Sequence, residues 1–206
     1  MAASKSVTII AKEGYGHIVA AFLPFALAVY GDFSALLTYL FFFLFLYTLF
    51  FFRNPERIVA DDSIGSVLAP IDGVIEAVER SNDGVRVRIR NGFLDTHIIR
   101  SPFKSTVQSF STRHGMAVIG DFEKAANLNS RCRVHFDEVA MEIVTSFFPY
   151  DTVCSVREGE MTRHGERIGF LYTGSLEMVL PNTIELHVTI GDTVKSAENL
   201  IGMVKN

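Results

Sequence analysis

A chain of 206 residues has room for one domain with a real core plus an appendage, and a formal net charge of −4 with no basic run excludes a nucleic-acid footprint. A mean hydropathy of +0.27 and 18 phenylalanines without a tryptophan are unusual for a soluble domain, but ten of those phenylalanines lie between Phe22 and Phe52, so the apolar excess is local. The two cysteines, Cys132 and Cys154, lack metal-ligand spacing and read as reduced packing thiols; no metal site is expected.

Residues 1–16 are polar and mixed, carry Lys5 and Lys12, and lead through Glu13-Gly14-Tyr15-Gly16 into a first apolar run over 17–30, interrupted by Pro24. Roughly 20 residues cross a hydrocarbon core, so this run is short. After Gly31-Asp32-Phe33-Ser34 comes a second run, 35–52, eighteen residues without a charge, which reads as a transmembrane helix. The apolar stretch begins too late and runs too long for a cleaved signal peptide, and no small-residue cleavage site follows Phe52. Lys5 and Lys12 before the hairpin, and Arg53 and Arg57 after it, put both ends in the cytoplasm by the positive-inside rule. Pro55 stops the helix, and the two arginines read as partners for lipid headgroups or as a plain stop-transfer flank. Residues 1–56 are therefore expected to anchor the chain in the cell membrane, with 57–206 as a domain on its cytoplasmic face.

Beyond residue 57 the chain reads as mostly strand. Segments 67–71, 74–78 and 85–89 alternate or are β-branched, separated by Asp72-Gly73 and Ser81-Asn82-Asp83-Gly84, both turn signals. Val85-Arg86-Val87-Arg88-Ile89-Arg90 has strict period two, which places its arginines on a solvated face. Further strands are expected at 96–99, 105–110, 116–119, 134–148, 168–172, 176–180 and 184–190, with one brief helix over 121–129. Many short strands with glycine turns predict a mainly β, antiparallel sandwich or barrel. Late Gly-x-x-Val and Leu-Ile-Gly fragments suggest a barrel-sandwich variant of the kind biotinyl and lipoyl carriers use. Lys195 between Val194 and Ser196 is a poor match to a carrier lysine.

Gly174-Ser175 sits between the strand-like 168–172 and the alternating stretch that ends at Pro181. A serine in a glycine turn is ordinarily a turn residue, yet the same pair sets a hydroxyl beside a carbonyl whose own residue has no side chain. Four fragments occur in order with the hydrophobic hairpin: Phe51-Phe52-Arg53-Asn54-Pro55-Glu56-Arg57, Ala69-Pro70-Ile71-Asp72-Gly73, Asp95-Thr96-His97-Ile98-Ile99-Arg100-Ser101-Pro102, and Tyr172-Thr173-Gly174-Ser175 with Leu180-Pro181. In this order they resemble the short, membrane-anchored bacterial form of phosphatidylserine decarboxylase across nearly the whole chain.

The resemblance implies an enzyme that cuts itself between Gly174 and Ser175, turning Ser175 into a covalent pyruvoyl cofactor. Large (1–174) and small (175–206) chains would then stay together, and pairing into a homodimer is left open. The pyruvoyl ketone would form a Schiff base with phosphatidylserine and act as electron sink while carbon dioxide leaves and phosphatidylethanolamine is produced. Ser175, His97 and Asp72 are the implied catalytic residues. His97 would serve as base for processing, as proton donor, or both, and Asp72 would orient an imidazole or complete a Ser-His-Asp arrangement. Three departures stand out: Arg100 replaces the second histidine of longer relatives, Asn129-Ser130-Arg131 replaces Asn-Glu-Arg, and Leu176 follows the serine. They leave room for an alternative, a membrane-anchored lipid-binding relative of the same fold that does not process itself.

Overall fold

The computed structural model describes residues 8–82, 84–116, 118, 127–137, 139–146 and 152–205. The chain divides into two units, Met1–Glu56 and Arg57–Asn206.

The first unit holds a 3-10 turn, Lys12–Gly14, and two helices, α1 (Tyr15–Tyr30) and α2 (Ala35–Phe51). The helical stretch begins before the apolar run does, so Lys12–Tyr30, at 19 residues, is long and apolar enough to cross a membrane, whereas Ala35–Phe51 is shorter. Pro24 lies inside α1, where it brings no N–H to the helix ladder. The two helices pack through aromatic pairs, with ring centroids 5.5 Å apart for both Phe22–Phe45 and Phe25–Phe42. Gly14 is required at the base: a Cβ there would stand 2.4 Å from Cγ of Phe52, whose carbonyl accepts the Ala11 N–H at 2.8 Å. Leu27, Tyr30, Leu36 and Phe43 point outward with most of their surface exposed.

The second unit is mainly β, a sandwich-like domain as the strand pattern predicts. In chain order its strands are β1 (Ser66–Leu68), β2 (Gly73–Ser81), β3 (Gly84–Asn91), β4 (Ile98–Arg100), β5 (Ser105–Thr106), β6 (Ser109–Arg113), β7 (Arg131–His135), β8 (Ala140–Thr145), β9 (Val153–Cys154), β10 (Met161–Thr162), β11 (Arg167–Phe170), β12 (Gly174–Leu180), β13 (Ile184–Leu186), β14 (Thr193–Val194) and β15 (Leu200–Val204). The largest sheet has the order β14-β2-β3-β12-β8-β7-β6, and smaller sheets run β1-β15-β13, β4-β11-β9 and β10-β5. These pairings are antiparallel throughout. Alternation drives the layering: Val85, Val87 and Ile89 of β3 and Leu176, Met178 and Leu180 of β12 enter one core with Ile75, Met141 and Ile143.

Two expected strands are each broken in two. Over 105–110 the chain changes partner at Val107, whose N–H donates to Glu160 O, while Gln108 N–H already donates to His135 O. Within 134–148 a turn closes where Phe136 N–H reaches Val139 O at 2.8 Å, separating β7 from β8. Residues 147–148, part of 116–119 and positions 121–126 of the brief helix lie outside the described residues. The arginine face of β3 is only partly wet: Arg86 and Arg90 are exposed, but Arg88 is half-buried and forks onto Glu177 Oε2 at 3.1 and 2.8 Å.

Candidate active site

The Gly174-Ser175 peptide lies at the start of β12, the central strand of the seven-stranded sheet, rather than in a turn. Gly174 is opposite Asn91 of β3 on one side and Thr145 of β8 on the other; Ser175 is opposite Arg90 and Val144. Glycine is dictated at position 174 twice over. Its φ of +153° disfavours any L side chain, and a Cβ would stand 2.1 Å from Val144 O. Gly73 repeats the device across the sheet, where φ is +156° and a Cβ would meet Arg90 O at 2.2 Å. The close approach at Gly174 is thus to β8, while the one at Gly73 joins β2 to β3, one strand away from the Gly174-Ser175 bond. Ser175 itself is half-buried and alternates with the core residues of its strand.

Asp72, 7% exposed, sits in the turn that feeds β2 and is surrounded by donors. Oδ2 accepts from Arg57 Nη2 at 2.6 Å and from the Thr96 hydroxyl, and Oδ1 accepts the Ser196 N–H at 2.8 Å. Arg57 reaches on to Glu198 Oε1 at 3.0 Å. The Arg57 side chain is therefore committed to a buried network, which corrects the expectation that its charge serves lipid headgroups; only 10% of it is exposed. Arg53, by contrast, caps the Phe50 ring, with its guanidinium carbon 3.9 Å from the ring centroid.

His97 is fully buried just before β4, with its ring 5.9 Å from that of Phe170. Its carbonyl accepts the Leu171 N–H at 2.9 Å, which docks the His97 segment against the chain leading to Gly174. Nδ1 lies 2.9 Å from Oδ1 of Asn91, the residue opposite Gly174. Asn91 Nδ2 in turn donates to Asp72 O at 2.9 Å and Thr96 O at 3.0 Å. Asp72 and His97 thus meet at Asn91, at the end of β3 that is opposite Gly174, whereas Ser175 lies in the alternate phase of β12, opposite Arg90. The imidazole Nδ1 faces that amide, while the Asp72 carboxylate is occupied by Arg57, Thr96 and Ser196.

Arg100 points elsewhere: Nη1 donates to Gly165 O at 3.0 Å, and burial, with Arg57 and Arg167 nearby, pushes its guanidinium below the ordinary value. Asn129-Ser130-Arg131 forms a buttress behind β8. Asn129 Nδ2 donates to Thr145 O at 2.7 Å, and Ser130 O accepts both the N–H and the hydroxyl of Thr145 at 3.0 Å. Thr145 is the other residue opposite Gly174. Cys132 and Cys154, distant in sequence, are hydrogen-bond neighbours; that bond and burial push the Cys154 thiol far up. Among the described residues no group of three or more His, Cys, Asp or Glu is gathered as a metal site.

Asn91 is the site residue that sequence reasoning passed over. Its signal was present: in Val85, Val87, Ile89, Asn91 the core-facing phase of β3 ends on an amide. A buried polar group there needs partners.

A family model for phosphatidylserine decarboxylase matches residues 44–202. The chain is 27% identical to the phosphatidylserine decarboxylase proenzyme of Desulfotalea psychrophila, over 95% of this chain and 96% of that one. The proenzyme of Ralstonia nicotianae is 30% identical over 91% of this chain and 92% of its own. That of Streptomyces griseus is 33% identical over 69% and 67%, respectively. No solved structure matches the chain at a significant level.

Proposed function

The chain belongs to the phosphatidylserine decarboxylase family, and on that premise we propose that it cuts itself between Gly174 and Ser175 and then decarboxylates phosphatidylserine to phosphatidylethanolamine. The observation that carries this reading is the setting of Gly174: a residue that only glycine can fill, clamped between β3 and β8 and opposite the asparagine that holds His97.

Cleavage begins when Ser175 Oγ attacks the Gly174 carbonyl carbon. The C–N bond breaks, the nitrogen takes up a proton, and an ester joins Gly174 to Ser175 Oγ. Loss of the Ser175 α-proton then expels the Gly174 carboxylate from the β-carbon. Water enters and ammonia leaves, which converts the α-carbon of residue 175 to a ketone. Both proton removals call for a base, and His97, buried and oriented by Asn91, is assigned that role. Asp72 acts at one remove: its carbonyl anchors the Asn91 amide, and its carboxylate fixes the turn that carries that carbonyl.

The pyruvoyl ketone supplies a carbonyl that takes the substrate amine and accepts the electrons released with carbon dioxide. His97 is also the assigned donor of the proton that replaces the carboxylate. The apolar outward faces of α1 and α2 support a membrane location, because an exposed patch of this kind is costly in water. Lys12 and Arg53 at the outer ends of the hairpin support a cytoplasmic face for residues 57–206. A site held at the bilayer meets its lipid substrate at high effective concentration.

The test is intact-mass analysis of purified protein, followed by incubation with phosphatidylserine vesicles. The expected result is two fragments, 1–174 and 175–206, the smaller with a pyruvoyl N-terminus, and release of carbon dioxide. A persistent single chain of 22.9 kDa would favour the non-processing lipid-binding alternative.

A further inference from the structure

We propose that Asn91 is a positioning residue that locks His97 in the tautomer with its proton on Nδ1, so that Nε2 is the nitrogen that accepts and returns protons. The argument starts from the asparagine. Its side chain is buried at 3% exposure, and Nδ2 lies 2.9 Å from Asp72 O and 3.0 Å from Thr96 O. Backbone carbonyls only accept hydrogen bonds, so both amide hydrogens are spent on them. Turning the amide over would set Oδ1 against two carbonyl oxygens at the same distances and leave two buried acceptors without donors. The orientation is therefore fixed by chemistry. Oδ1 faces His97 Nδ1 at 2.9 Å, and an amide oxygen can only accept. Nδ1 carries the hydrogen, and the lone pair of the neutral ring is on Nε2.

The partner is an uncharged amide where a Ser-His-Asp arrangement would have a carboxylate. A carboxylate could not occupy this position, because one of its oxygens would face Asp72 O and Thr96 O. Asn91 thus sets the ring's tautomer and direction without adding a negative charge to hold an imidazolium. The same side chain ties the turn before β2 to the segment before β4, and its own residue is opposite Gly174. Tautomer and ring position are fixed by one group. The use of Nε2 in proton transfer rests on the function proposed above; the tautomer itself does not.

The experiment uses the full-length chain in detergent with Ser175→Ala to keep it intact, and with 15N-labelled histidine. The His97 resonances are identified as those lost in a Ser175→Ala/His97→Gln chain. At neutral pH the His97 15N shifts are expected to show a protonated Nδ1 and an unprotonated Nε2. The reverse pattern, or rapid averaging between the two, overturns the proposal. This spectrum requires no change at Asn91, so a variant that fails to fold cannot shield the idea. Asn91→Leu is expected to shift His97 towards the Nε2–H form and, with Ser175 restored, to slow self-cleavage about 10–100-fold. A folded Asn91→Leu chain that keeps the Nδ1–H pattern also overturns it. If the native pattern is Nδ1–H while His97→Gln cleaves normally with Ser175 present, the tautomer stands and the role given to His97 fails.

Discussion

The α-carbon of Gly174 faces the carbonyl oxygen of Val144 so closely that a Cβ there would stand 2.1 Å from it. Gly174→Ala must therefore push β12 from β8 and also strain a φ of +153°. The conformational part alone costs roughly 1–3 kcal/mol. The expected outcome is a lower unfolding temperature and a chain that stays uncut although Ser175 is intact. Ser175→Ala, which adds no atom, should stay uncut with near-normal stability. Comparing thermal unfolding and intact mass of the two chains checks this, and a Gly174→Ala chain cut at the normal rate would contradict it.

Arg57 and Asp72 form an ion pair with about a tenth of each side chain exposed. Removing one partner of such a pair leaves a buried charge and costs about 3–5 kcal/mol. Asp72→Ala should thus destabilise strongly, and Arg57→Met/Asp72→Ala should cost less than the sum of the single changes by about 1–3 kcal/mol. Denaturant unfolding of the uncut Ser175→Ala chain measures the cycle. Strict additivity would mean that the pair does not couple.

The Cys154 thiol is pushed up by its hydrogen bond with Cys132 and by burial. An ordinary cysteine, with a pKa of about 8.5, gains thiolate steeply between pH 7 and 9. Cys154 should stay protonated there, so native-state alkylation should hardly accelerate with pH, whereas the unfolded chain should label readily. A raised folded pKa also sets the sign of the stability effect. The contribution is complete below the unfolded value of about 8.5 and erodes as pH rises toward the folded one. Alkylation followed by mass spectrometry across that range reads the first effect.

Residues 175–206 supply β12, β13, β14 and β15, of which β12 and β15 are each hydrogen-bonded on both sides to other strands. In addition, Asp72 accepts the Ser196 N–H and Arg57 pairs with Glu198. A chain cut at Gly174-Ser175 should therefore run as one species on a native sizing column in detergent and release the small fragment only in denaturant. Separation under native conditions would contradict this strand arrangement.

The helical hairpin and the alternating strands around β3 and β12 were legible because burial there follows a simple period. Breaks at Val107 and after Phe136 were not, since a change of partner strand leaves no mark on periodicity. Ser175, His97 and Asp72 stood out through motif order, which says nothing of contacts. Arg57 looked like a lipid-facing flank because its partner, Asp72, is fifteen residues away in sequence. Asn91 escaped notice because one amide at the end of an apolar phase resembles a strand terminus until its three partners are seen.

The peptide bond assigned for cutting exists in its clamped form only after β3, the β7–β8 hairpin and the His97 segment have all assembled around it. A chain that misfolds in any of these lacks the geometry and should remain in one piece. Scission then works as an internal quality stamp: the fraction of molecules cut counts the fraction that reached the native sheet, with no outside probe of folding.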